Sequence, residues 1–220
     1  MLRTETIERE TFELLIALMQ DAKLERFILV GGTALALYLG HRKSIDLDLF
    51  SRQPFDVLAL EKHLKDTYNF EIQNPKHQSE ATLIGFINNI KVDFIRYDYP
   101  LVKPEYAQGD IRLCSEHDIA AMKLTAISQN GTRLKDFVDI AYLSTKIALK
   151  EMLDVFEIKY PKTNKISAVK GLTYFDDIDF SAKIELISGQ FKWKSIEKRL
   201  LEMIKYPQKV FLQPPVPIKN

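Results

Sequence analysis

The stretch from Phe27 to Phe50, FILVGGTALALYLGHRKSIDLDLF, constrains the fold more than any other part of the chain. Four apolar residues, Phe27 to Val30, end at Gly31-Gly32 and read as a buried strand. Thr33 to Leu39 is rich in Ala and Leu and reads as a helix stopped by Gly40. Ile45 to Phe50 alternates apolar with acidic residues, which is a strand pattern. Alternate side chains of a strand share a face, so Asp46 and Asp48 point one way. Ile45, Leu47 and Leu49 are then expected to point the other way, into a core.

Two neighbouring carboxylates repel and raise each other's pKa unless a cation lies between them. A solvated strand edge accounts for such a pair taken alone. Asp93 adds to it, because it sits in IKVDFI, residues 90–95, another strand-like segment with an acid among apolar residues. A neighbouring strand would bring Asp93 beside Asp46 and Asp48. Three carboxylates suit two Mg²⁺ ions, hard cations that prefer oxygen ligands and phosphates. Two such ions about 3.5–4 Å apart clamp the attacking and leaving oxygens of an in-line phosphoryl displacement.

Gly31-Gly32-Thr33 supplies the complementary half of such a site. Glycine lets the backbone approach a phosphate, and the helix start offers free N–H groups and a positive dipole end. Thr33 adds a hydroxyl. Taken alone, the same residues make a tight strand-to-helix turn, and no Gly-Lys-Ser/Thr follows to form a Walker P-loop. In the loop His41-Arg42-Lys43-Ser44, Arg42 or Lys43 can neutralise a triphosphate or contact RNA. For His41 and Lys43 a plain polar loop is the simpler reading. One cysteine and four scattered histidines give no zinc spacing.

The rest of the chain frames this stretch. Residues 4–22 read as an amphipathic helix with Ile7, Phe12, Leu15, Ile16 and Met19 on its apolar stripe. Pro54 is placed to open a helix reaching about Thr67. Strands fit 69–73, 81–87, 90–97 and 110–114, with Asn88-Asn89 as a tight hairpin turn. Ser115 with Asp118 resembles a capping arrangement for a helix over 116–128. Asn130-Gly131-Thr132 matches a glycosylation acceptor but reads as a helix–turn–helix junction before a helix over 133–145. Further helices fit 148–159, 164–171 and 193–206, and the proline-rich tail 213–217 reads as extended and mobile. The organisation is an α/β half followed by a helical half.

Composition bounds the function classes. With 220 residues, 46% of them hydrophobic, the chain can bury a core as one large domain or two small ones. A net charge of +1 does not mark a nucleic-acid binder, though a local basic patch stays open. Cys114 is the sole cysteine, so no intrachain disulfide forms, and a reducing cytoplasm is the simplest compartment. A buried small side chain is its simpler role. The N-terminus lacks a signal-peptide apolar region, and no run reaches the roughly 20 residues of a membrane helix.

The order strand, Gly-Gly-Thr, helix, His-Arg-x-Ser-x-Asp-x-Asp, then a third Asp resembles the polymerase-β-type nucleotidyltransferases. More narrowly it resembles the AbiEii/AbiGii toxin family. DIAAMKL, residues 118–124, and RLKDFVDI, residues 133–140, support the narrower match. The resemblance spans about 25–145. It implies an α+β fold: a mixed-sheet nucleotidyltransferase core with an N-terminal helix over 1–114, and a helical C-terminal domain over 115–220 completing the active site. It implies Mg²⁺-dependent transfer of a nucleoside monophosphate from an NTP, with pyrophosphate leaving. By it Asp46 and Asp48 hold the metals with Asp93 as the third acid. Gly31, Gly32 and Thr33, with Arg42 and Ser44, hold the nucleotide. Lys123 contacts phosphate, and Asp136 acts near the acceptor.

The helical motifs also have plainer readings. Lys123 lies in an apolar helix, where a long cation snorkels or pairs with an acid. Asp136 and Asp139 sit at i, i+3 on one helix face and can simply satisfy Arg133 or Lys135. Function is favoured for Lys123, and a structural cap or ion pair for Asp139. Members of the family act as toxins of abortive-infection or type IV toxin–antitoxin systems, some resembling enzymes that extend tRNA ends. An RNA acceptor and a cognate antitoxin are the expected partners. Two rivals are a small-molecule or protein nucleotidyltransferase and a non-catalytic nucleotide-binding protein.

Overall fold

The computed structural model describes residues 1–74 and 79–217. Its centre is a mixed seven-stranded sheet with the order β3-β4-β5-β2-β1-β7-β6. The strands are β1 (Ile28–Leu29), β2 (Leu47–Ser51), β3 (Glu71–Ile72), β4 (Thr82–Ile87), β5 (Ile90–Arg96), β6 (Tyr106–Gln108) and β7 (Ile111–Leu113). Eight helices accompany them among the described residues: α1 (Arg9–Gln20), α2 (Gly31–Leu39), α3 (Val57–Tyr68), α4 (Glu116–Gln129), α5 (Leu134–Leu143), α6 (Leu149–Lys159), α7 (Lys165–Gly171) and α8 (Trp193–Lys205). The fold is α+β, with the sheet in the first half and α4 to α8 in the second.

Alternation along the strands gives the sheet two unlike faces. Leu47, Leu49 and Ser51 of β2 are buried, while Asp48 and Phe50 between them are half-buried. In β4, Leu83, Gly85 and Ile87 are buried, while Thr82, Ile84 and Phe86 are half-buried. One face therefore belongs to the core, with Leu29, Val92, Phe94 and Leu113 at 0% exposure. The other face is a partly open floor, and the acids stand on it. A continuous set of buried apolar residues runs from Leu2 to Val216 through both halves of the chain.

Local sequence explains most element ends. Asn88 and Asn89 take φ of 50° and 63°, the left-handed pair that a two-residue hairpin turn requires between β4 and β5. Gly40 ends α2 at φ 66°. Ser115 caps α4 by accepting from the Asp118 N–H, and its hydroxyl donates to the Asp118 carboxylate at 2.7 Å. Cys114 is 1% exposed, and burial pushes its thiol up to about 12, which makes it a packing residue.

Several expectations are corrected. The helix expected over 4–22 is broken into short 3-10 turns at Thr4–Thr6 and Ala22–Leu24 with α1 between them. Ile7 is buried outside α1, in extended backbone. Pro54 does not open α3; Asp56 does, its side chain accepting from the Ala59 N–H. Ile45 is 59% exposed because β2 begins only at Leu47, so strand alternation does not reach it. β6 was not foreseen; YAQ is short, mostly exposed and on the sheet edge. The 213–217 tail is anchored, with Val216 2% exposed and the Gln213 carbonyl accepting from Arg199 at 2.8 Å. The expected strand over 69–73 is confined to Glu71–Ile72.

Candidate active site

β2 and β5 run parallel with Asp48 directly opposite Asp93. Asp46 lies two residues before Asp48, just ahead of β2, and its charge acts on Asp48. The pairing of β2 with β5 thus sets Asp48 beside Asp93 on the open face, with Asp46 close by. Burial raises the Asp48 carboxyl above the usual carboxylate range. The charges of Asp93 and Asp46 push it further up, and Lys123 and Lys91 pull it back. Asp93 is partly neutralised already, because Lys91 donates to its Oδ2 at 2.6 Å. Its Oδ1 is buried with no hydrogen-bond partner among the described residues.

The glycine turn closes directly on these acids. Gly31 takes φ +70°, and a Cβ there would collide with Asp48 Oδ2. Only glycine lets the start of α2 lie against this carboxylate without strain. A Cβ on Gly32 would meet the Arg42 Nη2. The N-cap residue Val30 offers no side-chain cap, so among the described residues the first backbone N–H groups of α2 are left for another acceptor. Thr33, 1% exposed, donates to the Asp46 carbonyl and shares a 2.8 Å hydrogen bond with Ser44. Its hydroxyl therefore ties the loop to the helix start.

The helical half joins through one buried network. Asp139 on α5 accepts from Arg42 Nε at 2.7 Å and Nη2 at 2.9 Å. It also faces His41 Nε2 and Lys123 Nζ, each at 2.9 Å. Lys123 on α4 donates in addition to Asp136 Oδ1. Arg42 and Lys123 hold the Asp139 carboxyl well below its usual range against burial, and Asp139 and Asp136 in turn raise Lys123. Burial holds the His41 imidazole below its ordinary value despite Asp139. The remaining Arg42 donor, Nη1, meets the Lys43 carbonyl at 2.9 Å.

Every residue expected at the site is thus in one region. They divide into two groups. Asp46, Asp48, Asp93 and the α2 start form one group beside the open face of the sheet. Thr33, Ser44 and Arg42 stand behind them, holding the turn and the loop in place. Lys123 links the groups, being paired with Asp136 and Asp139 yet close enough to Asp48 to affect its charge. Sequence reasoning missed His41, set aside as a loop residue, which is 4% exposed and bonded to Asp139. The shared face of Asp136 and Asp139 was the available signal, but it did not reveal a partner about a hundred residues upstream.

Among the described residues no three His, Cys, Asp or Glu side chains are arranged to hold a metal ion unaided. Mg²⁺, however, usually takes one or two carboxylates and completes its shell with water and substrate phosphates. The unpartnered Asp93 oxygen and the mutual repulsion around Asp48 fit a divalent cation shared with a bound nucleotide.

Comparison with solved structures places the architecture. The chain superposes on a candidate nucleotidyltransferase from H. pylori at a TM-score of 0.53 with 16% identity, covering 91% of this chain and 96% of that one. It superposes on the antibiotic-resistance factor ANT(2'')-Ia at 0.54 with 14% identity, covering 70% and 94%. The fold is that of a nucleotidyltransferase. An uncharacterized protein of Aquifex aeolicus (strain VF5) is 35% identical over 176 residues, 77% of this chain and 82% of that one. The protein belongs to the family described as nucleotidyl transferase AbiEii toxin, type IV TA system, whose model matches residues 13–205.

Proposed function

We propose that this nucleotidyltransferase moves a nucleoside monophosphate from an NTP to the 3′ hydroxyl of an RNA, tRNA foremost, as the toxin of a type IV pair. The observation that carries the reading is the contact between Asp48 and Gly31. It puts a carboxylate cluster and an uncapped helix start side by side, one half suited to cations and the other to phosphate.

In this reading the N–H groups of Gly31 and Gly32 hold the outer phosphates of the NTP. Asp46 and Asp48, with Asp93 beside them, hold Mg²⁺. Mg²⁺ held by these residues would supply polarisation of the α-phosphate and a lower pKa for the attacking hydroxyl. The acceptor O3′ forms a bond to the α-phosphorus, the bond from that phosphorus to the oxygen bridging to the β-phosphate breaks, and pyrophosphate leaves. The O3′ proton passes to a carboxylate or to water. Lys123, pinned by Asp136 and Asp139, contributes positive charge near Asp48 as negative charge builds. Arg42, Thr33 and Ser44 keep the turn rigid. A cognate antitoxin would keep the activity in check, and the site's dependence on dissolved NTP and RNA fits a cytoplasmic setting.

The test offers each labelled NTP, with Mg²⁺, to total tRNA, to an aminoglycoside and to a protein mixture. Label on tRNA alone is the expected result. Label on the aminoglycoside or protein alone would replace the RNA acceptor while leaving nucleotidyl transfer in place.

A further inference from the structure

Beyond the acids, on the same open face of the sheet, lies a cavity of about 220 Å³. Phe50 lines it and follows Asp48 by two residues; Tyr97 lines it and follows Asp93 by four. Strand alternation therefore continues the acid rows directly into this cavity, and Val30, whose N–H donates to the Asp48 carbonyl, lines it as well. Its wall is an aromatic shelf. Phe50 and Tyr97 have ring centroids 5.1 Å apart, and Tyr97 and Tyr99 5.0 Å apart. Arg26 and Arg52 stand at its rim against one acid, Glu105. Arg52 is exposed and forms no ion pair among the described residues. Lys159 forms part of the wall and is fully engaged by Asp118 and the Pro100 carbonyl.

We propose that this cavity receives the 3′-terminal nucleotide of the acceptor RNA, its base stacked on Tyr99 and Phe50 and its phosphate met by Arg52 and Arg26. This rests on the RNA-acceptor reading above. In-line transfer requires the attacking and leaving oxygens on opposite sides of the α-phosphorus. The antiparallel register of β1 and β2 places Gly31 and Gly32 toward the Asp46 end and Ile28 against Phe50. With pyrophosphate leaving on the glycine side, the attacking hydroxyl arrives from the Phe50 side. Unpaired bases are held on aromatic side chains, and Arg supplies the phosphate contact. The cavity is smaller than the roughly 300–1,000 Å³ of sites for drug-sized ligands. It suits a single base with its sugar and phosphate at the open rim, and that rim, with Arg26 and Arg52, favours an anion.

The test measures binding of a 5′-fluorescein single-stranded oligoribonucleotide by anisotropy, and of NTP with Mg²⁺ separately, for the wild type, Arg52→Ala and Tyr99→Ala. Both positions are exposed, so the fold is kept. Each variant is expected to weaken RNA about tenfold or more and to leave NTP affinity unchanged. An oligonucleotide with an abasic 3′ end should lose the same affinity on the wild type and lose nothing further on Tyr99→Ala. Unchanged RNA affinity in both variants, or a loss of NTP affinity instead, would overturn the assignment while leaving the RNA acceptor standing. A wild type that binds NTP but no RNA would overturn both.

Discussion

Asp139 grips Arg42 with both carboxylate oxygens, at 2.7 Å and 2.9 Å, across 97 residues of chain. Both side chains are essentially buried, at 0% and 3% exposure. The pair fastens the loop before β2 to helix α5, and so fixes the acids relative to Lys123. Removing one member of a buried ion pair leaves an uncompensated charge and costs about 3–5 kcal/mol. Asp139→Ala should lose stability on that scale in urea unfolding, since Arg42 and His41 lose their carboxylate partner and Lys123 keeps only Asp136. A loss below about 1 kcal/mol would show that the network does not hold the halves together.

Asp48→Asn should act in the opposite sense. Asp48 is a half-buried carboxylate beside Asp93 and Asp46, and burial, with the repulsion of those acids, raises its pKa. Without added metal, neutralising it should leave unfolding stability unchanged or raised, while transfer activity falls by at least about a hundredfold. Functional sites commonly trade stability for activity in this way. A marked loss of stability would reassign Asp48 to a structural role.

Gly31→Ala tests the close approach of turn and acid. The substitution meets both a positive φ and a collision with Asp48. Strained backbone of this kind costs on the order of 1–3 kcal/mol. Thermal unfolding should shift downward and activity should fall with it. Gly109→Ala is the control, since a Cβ there meets nothing within 4 Å although its φ is also positive, at +59°. Its activity should be retained.

Acid should unfold the protein in two stages. His41 is held below its ordinary pKa in the fold, so the unfolded chain takes up that proton first. Stability should begin to decline as pH falls below about 6.5. Asp118, hydrogen-bonded by Lys159, Ser115 and two backbone N–H groups, and Asp139 are both depressed. Their contribution is present above the unfolded value near 4 and is lost as pH falls through it toward the folded values. Unfolding free energy measured from pH 8 to 3 should show both declines. His41→Gln should flatten the upper one and Asp118→Asn part of the lower one.

The local patterns that carry chemistry were legible in the sequence because they are periodic or capped. The alternation around Asp46 and Asp48, the Asn88-Asn89 turn and the Ser115 cap each involve residues within a few positions of one another. The His41–Asp139 contact was not legible, because the helix pattern shows which side chains share a face and not what that face meets. Ile45 is misplaced for a related reason: alternation is present in the sequence before the backbone has entered the strand. The tail composition suggested mobility, but Val216 found a buried site that composition does not encode. The aromatic shelf was equally hidden, since Phe50, Tyr97 and Tyr99 meet only once β2 and β5 pair.

The most direct test of the central claim compares α-labelled with γ-labelled NTP in the presence of Mg²⁺ and tRNA, for the wild type and Asp46→Ala. The account predicts α-label joined to the RNA 3′ end by the wild type, no γ-label on RNA, and neither with Asp46→Ala. Transfer of γ-label, or α-label retained by Asp46→Ala, would contradict it.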